Sequence, residues 1–124
     1  MAEILLIDDM AGVRRTVTGT LGRAGHTVTV SENGPDGLEM LKSRKFDLVV
    51  TDMLMPGADG ADVLGYVSGL RNWMPVIAIA SSDAGLSMES ALRIARVKAD
   101  TCLKKPFTRA ALTAAVDKLL GPKS

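Results

Sequence analysis

The chain has 124 residues, of which 47% are hydrophobic and 23% charged, and a formal net charge of +1. That length predicts one folded domain, and the composition excludes a disordered chain. A charge near zero gives no warrant for general nucleic-acid binding.

No apolar run reaches the ~18 residues of a membrane span. The opening Met1-Ala2-Glu3-Ile4-Leu5-Leu6-Ile7-Asp8-Asp9 has too short an apolar stretch, and no basic leader, for a signal peptide. One cysteine, Cys102, excludes an internal disulfide framework and fits a reducing compartment, so a cytoplasmic location is expected. The charge is also uneven. Residues 1–62 carry ten acids and six bases, whereas residues 63–124 carry four and nine.

The first predicted strand is Ile4-Leu5-Leu6-Ile7. Val13, Val17 and Leu21 then recur at four-residue spacing in a helix that Gly25 ends. Val28-Thr29-Val30 follows as a short, more polar strand of the kind found at a sheet edge. Pro35 suits the first turn of a helix burying Leu38 and Leu41.

Leu48-Val49-Val50 is the third strand. A third helix opens at Asp59 or Gly60 and presents Val63, Leu64, Val67 and Leu70. Val76-Ile77-Ala78-Ile79 is the fourth strand, and Ser87 caps a helix through Met88, Ala91, Leu92 and Ala95. Thr101-Cys102-Leu103 is the fifth strand, and Thr108 caps a last helix through Leu112, Val116 and Leu119 that stops at Gly121-Pro122. The first, third and fourth strands are continuously apolar, as strands covered on both faces are. Five alternations of strand and helix predict an α/β fold: a doubly wound, five-stranded parallel sheet with helices on both faces.

Ligands of such sheets sit beyond the carboxyl ends of the strands. Here those ends carry Asp8-Asp9, Asp52, Ala80-Ser81-Ser82 and Lys104-Lys105-Pro106. Three carboxylates gathered there repel one another and destabilise the fold unless a cation neutralises them. Mg²⁺ takes one or two carboxylates, keeps several waters and leaves room for phosphate oxygens. Lys105 adds a mobile point charge. Together these groups suit phosphoryl transfer, which depends on positioning and charge neutralisation.

Asp8-Asp9 after the first strand, Asp52 followed by Met55-Pro56 and Asp59-Gly60, and Lys105-Pro106-Phe107 after the fifth strand resemble the receiver domain of bacterial two-component response regulators, of the stand-alone, CheY-like kind. The resemblance runs from Glu3 to Leu120. It implies a flavodoxin-like strand order 2-1-3-4-5 and a single receiver domain over residues 1–124 with no output domain.

The resemblance also implies that Asp52 is the phosphoacceptor, charged by a histidine kinase or a histidine phosphotransfer protein. Asp8, Asp9, Asp52 and the backbone carbonyl of Leu54 would hold Mg²⁺, with Asp8 acting directly or through water. Lys105 would meet the phosphoryl oxygens, and Pro106 would fix its loop. Such a domain is not an enzyme but assists its own phosphoryl transfer and dephosphorylation. Its downstream protein target would use the face of the fourth helix, fifth strand and fifth helix, without direct contact to nucleic acid or membrane.

Two positions depart from the family pattern. Counting five residues from Pro75 reaches Ala80 where the family has Thr or Ser, so either Ser81 serves or the hydroxyl is absent and Ser81 contributes its backbone N–H. Cys102 stands where the family has an aromatic residue. The usual switching pair therefore cannot operate in its ordinary form, and the polar segment from Ser81 to Ser87 with the helix after it is expected to carry the response. Both departures leave an alternative open: a degenerate receiver acting as a phosphorylation-independent interaction module.

Other classes fit less well. A haloacid-dehalogenase-type phosphatase needs a second acid where Leu54 stands. A flavin carrier would place phosphate against the acidic Asp8-Asp9-Met10-Ala11-Gly12, and no glycine fingerprint of a dinucleotide site is present. Among the remaining residues, His26 is read as a turn or edge-strand residue, Cys102 as a buried small side chain, and Lys104 as surface charge. Tyr66 and Trp73 are read as packing at the third helix. Met53 and Met55 would shield Asp52. Arg93, Arg96 and Lys98 are read as a solvated helix face, or with Arg109 as a basic docking surface for an acidic partner.

Overall fold

The computed structural model describes residues 2–52, 74–81, 100–105 and 107–121. Its strands are β1 (Glu3–Ile7), β2 (Thr27–Ser31), β3 (Leu48–Asp52), β4 (Val76–Ser81) and β5 (Thr101–Lys105). Its helices are α1 (Ala11–Arg23), α2 (Gly34–Ser43) and α3 (Arg109–Leu120). All strand pairs are parallel, in the order β2-β1-β3-β4-β5. The third and fourth helices expected from the sequence lie outside the described residues.

Alternation along the strands splits the core into two layers. Leu5, Ile7, Val49, Val76 and Ala78 face Leu41 of α2, together with Phe46. Ile4, Leu6, Leu48, Val50, Ile77 and Ile79 face Val17 and Leu21 of α1 and Leu112, Ala115 and Val116 of α3. Helices therefore cover both faces, which is why the central strands read as unbroken apolar runs. Leu41 is buried as expected, whereas Leu38 packs only partly against its layer.

The caps follow the local chemistry. Asn33 Oδ1 accepts from the Asp36 amide at 2.8 Å, with Pro35 in the first turn of α2. Thr108 Oγ1 accepts from the Ala111 amide at 3.0 Å. Gly25 and Gly121 end their helices at φ 96° and 81°, values that favour glycine. β5 runs on to Lys105, so Lys104 and Lys105 belong to the strand rather than to the loop after it.

Each described return to the sheet is locked at the amino-terminal edge by a side chain. The Ala2 amide donates to His26 Nδ1 at 3.1 Å, and the Thr27 amide donates to the Ala2 carbonyl at 2.9 Å. The Glu3 amide donates to Asp47 Oδ2 at 2.8 Å, and the Asp47 amide donates back to the Glu3 carbonyl at 2.7 Å. Asp100 repeats the arrangement with Val76, at 2.8 and 3.0 Å. His26 is thus a buried anchor of the β2 entry.

Candidate functional site

Register builds the site. Ile7 is the β1 partner of Thr51 in β3, so the next residue of each strand, Asp8 and Asp52, emerges side by side at the carboxyl edge. Asp8 is fully buried and Asp52 is 2% exposed, whereas Asp9 faces solvent. One carboxylate oxygen from each of Asp8, Asp9 and Asp52 lies within 4.8 Å of the others.

The backbone around these acids is closely held. The Asp8 amide donates to the Ser31 carbonyl at 3.1 Å, tying the end of β1 to the end of β2. Asp8 Oδ1 accepts from the Met10 amide at 2.8 Å, an Asx-type turn that leads into α1. The Asp8 carbonyl accepts from Arg14 Nη1 at 2.9 Å. On β3, buried Thr51 donates its hydroxyl to the Asp52 carbonyl at 3.2 Å. The start of α1 also lies beside the acids, where the helix dipole favours negative charge.

The donor set fits a hard divalent cation. All three groups supply carboxylate oxygen, the ligand type that Mg²⁺ prefers, and oxygens about 2.1 Å from an octahedral Mg²⁺ lie roughly 3–4 Å apart. Small side-chain rotations would bring a 4.8 Å cluster to that spacing. Two of the three carboxylates are almost wholly withdrawn from water. In that setting uncompensated like charge is expensive.

The other expected site residues divide into two groups. Ser81 is the register partner of Lys105, and Ala80 of Lys104, so the ends of β4 and β5 meet at the same carboxyl edge as the acids. Leu54, Met53, Met55, Asp59, Pro106 and the segment following Ser81 lie outside the described residues, as do Tyr66, Trp73, Arg93, Arg96 and Lys98. Cys102 is half-buried against the α2-side core layer, with Ala78 as its register partner. Arg109 is exposed. Sequence reasoning passed over Arg14, whose only signal is its position in the first turns of the helix that follows Asp8-Asp9.

The chain matches the response regulator receiver domain family over residues 4–117. It belongs to that family. This receiver is 35% identical to the chemotaxis protein CheY-3 of Vibrio cholerae over 121 residues, covering 94% of this chain and 90% of that one. It is 30% identical to the transcriptional regulatory protein GlrR of Escherichia coli over 119 residues, 96% of this chain but 26% of that protein. The receiver spans about a quarter to a half of several of its curated relatives, including 50% of the response regulator MprA of Mycobacterium ulcerans. A response regulator receiver domain structure from Clostridium thermocellum superimposes with a TM-score of 0.85 at 26% identity, covering 97% of this chain and 94% of that one. The family places this receiver in phosphorelay signalling, where receivers interact with histidine kinases and downstream effectors. Among the described residues no helix is long and apolar enough to cross a membrane.

Proposed function

We propose that this receiver accepts a phosphoryl group on Asp52 from a histidine kinase or a histidine phosphotransfer protein, and that it signals through protein–protein contacts. The buried pair Asp8 and Asp52, joined by Asp9 within 4.8 Å at the carboxyl edge of the sheet, supports this function above any other feature.

A carboxylate oxygen of Asp52 attacks phosphorus as the P–N bond of the donor phosphohistidine breaks. The bonding pair leaves with the imidazole nitrogen, and a β-aspartyl phosphate forms. Asp8, Asp9 and Asp52, with the Leu54 carbonyl implied by the family resemblance, would hold Mg²⁺, which would neutralise the acids and attract the phosphoryl oxygens. Thr51 and the Asp8 turn keep the two strand ends in place while charge moves. Lys105 pairs with the phosphoryl group, and Ser81 beside it contributes its backbone N–H in place of the hydroxyl that Ala80 lacks. The same groups assist hydrolysis of the aspartyl phosphate.

The chain overlaps CheY-3 almost end to end, which supports signalling through contacts made by the receiver itself. Its target docks on the face that includes β5 and α3, where Lys104 and Arg109 are exposed. The deciding experiment incubates the protein with Mg²⁺ and a small phosphodonor, then with candidate histidine kinases. An acid-stable, base-labile phosphoryl adduct, absent in Asp52→Asn, is expected. Failure with every donor would favour the phosphorylation-independent module instead.

A further inference from the structure

Arg14 lies one turn into α1 and reaches back over the acidic site. Its Nη1 donates to the Asp8 carbonyl at 2.9 Å, and its Nη2 lies 3.4 Å from Glu32 Oε1, just beyond the end of β2. The arginine side chain is only 20% exposed, whereas Glu32 is 75% exposed. A half-buried guanidinium held on a backbone carbonyl is a geometric device more than a surface ion pair, and the exposed arm to Glu32 contributes little by itself.

The carbonyl it holds belongs to the residue that matters. Asp8 has its amide fixed on Ser31, its Oδ1 fixed on Met10 and its carbonyl fixed by Arg14. The peptide plane between Asp8 and Asp9 is therefore set by Arg14 at its oxygen end. Asp9 is the exposed member of the acidic cluster, and Arg14 orients the backbone from which it projects.

We propose that Arg14 is a positioning residue for the divalent-cation site, holding the Asp8–Asp9 peptide so that both carboxylates converge with Asp52. The proposal rests on the Mg²⁺ reading above. Residues that orient metal ligands typically change metal affinity by about 10–100-fold when replaced.

Electrostatics and positioning predict opposite signs, which makes the test clean. A guanidinium near the site repels a cation, so if Arg14 acted only as charge, Arg14→Gln would tighten Mg²⁺ binding and Arg14→Lys would leave it unchanged. If it positions the peptide, both variants weaken binding, because neither offers the planar fork that spans the Asp8 carbonyl and Glu32.

The experiment is a calorimetric Mg²⁺ titration of the wild type, Arg14→Lys and Arg14→Gln, with the melting temperature of each metal-free protein recorded alongside. Affinity lowered about tenfold in each variant that folds, at a metal-free melting temperature near that of the wild type, is the expected result. Unchanged or tighter binding in either folded variant overturns the proposal. A wild type that itself shows no Mg²⁺ binding overturns the metal reading as a whole, and that outcome is distinct from variants that titrate like the wild type.

Discussion

Gly37 of α2 rests directly on Ile7 of β1, so closely that an added Cβ would lie 2.7 Å from Ile7 Cγ1 and in still harder contact with Cδ1. Ile7 is fully buried, β-branched and the residue before Asp8. It has little freedom to retreat. Gly37→Ala is therefore expected to destabilise the protein by about 1–3 kcal/mol through overpacking, less the ~1 kcal/mol that alanine gains in a helix. Urea unfolding measures the net loss, and an unchanged or higher midpoint would show that α2 can slide outward at no cost.

The paired bonds at the amino-terminal edge give a second expectation. Asp100→Ala leaves the Val76 amide without its carboxylate in a partly buried setting, and Asp47→Ala does the same to Glu3 where water can substitute. Asp100→Ala is expected to cost about 1–2 kcal/mol and Asp47→Ala about half that. The two pins serve different strand pairs, so the double variant should lose close to the sum. Denaturant midpoints of the three variants check the order and the additivity.

Crowded acids give a third. Removing one of three clustered like charges relieves repulsion, so Asp52→Asn should unfold later than the wild type when Mg²⁺ is withheld, by about 1 kcal/mol or more. Saturating Mg²⁺ should narrow that gap, because a ligand at ten times its Kd stabilises the native state by about 1.4 kcal/mol. Thermal melts in a chelator and in a Mg²⁺ series read both effects. A wild type already more stable than Asp52→Asn in the chelator would contradict the cation reading.

The missing hydroxyl gives a fourth. If Ser81 contributes only its backbone, Ser81→Ala should leave the phosphorylation rate within about twofold, and Ala80→Thr should raise it about tenfold or more, since one aligned donor in a dedicated site is worth roughly 10²–10³. Stopped-flow phosphorylation by a small donor separates the two positions. A large loss in Ser81→Ala would instead assign the hydroxyl role to Ser81.

Much of this fold was legible because the physics is local and repeated. Ile4 to Ile7, Leu48 to Val50 and Val76 to Ile79 are apolar on both sides because helices cover both sides of the sheet, and Gly25, Thr108 and Gly121 mark helix ends by their own chemistry. The acidic cluster was legible for a related reason: in a parallel sheet every strand delivers its last residue to the same edge. Contacts between distant segments were not readable. Nothing in the sequence says that His26 accepts from Ala2, that Asp47 and Asp100 fasten strand starts, that Gly37 touches Ile7, or that Arg14 reaches the Asp8 carbonyl. Each depends on which strands become neighbours and in what register. β5 was read two residues short because Lys104 and Lys105 look like loop residues, yet an edge strand tolerates them.

The fastened amino-terminal edge has a consequence for how the strands stay aligned. With His26, Asp47 and Asp100 each clamping a strand start through a side-chain bond beside a backbone bond, a slip of register by one residue there would break both bonds at once. Register fixed at that end carries through the sheet to the side-by-side emergence of Asp8 and Asp52 at the other.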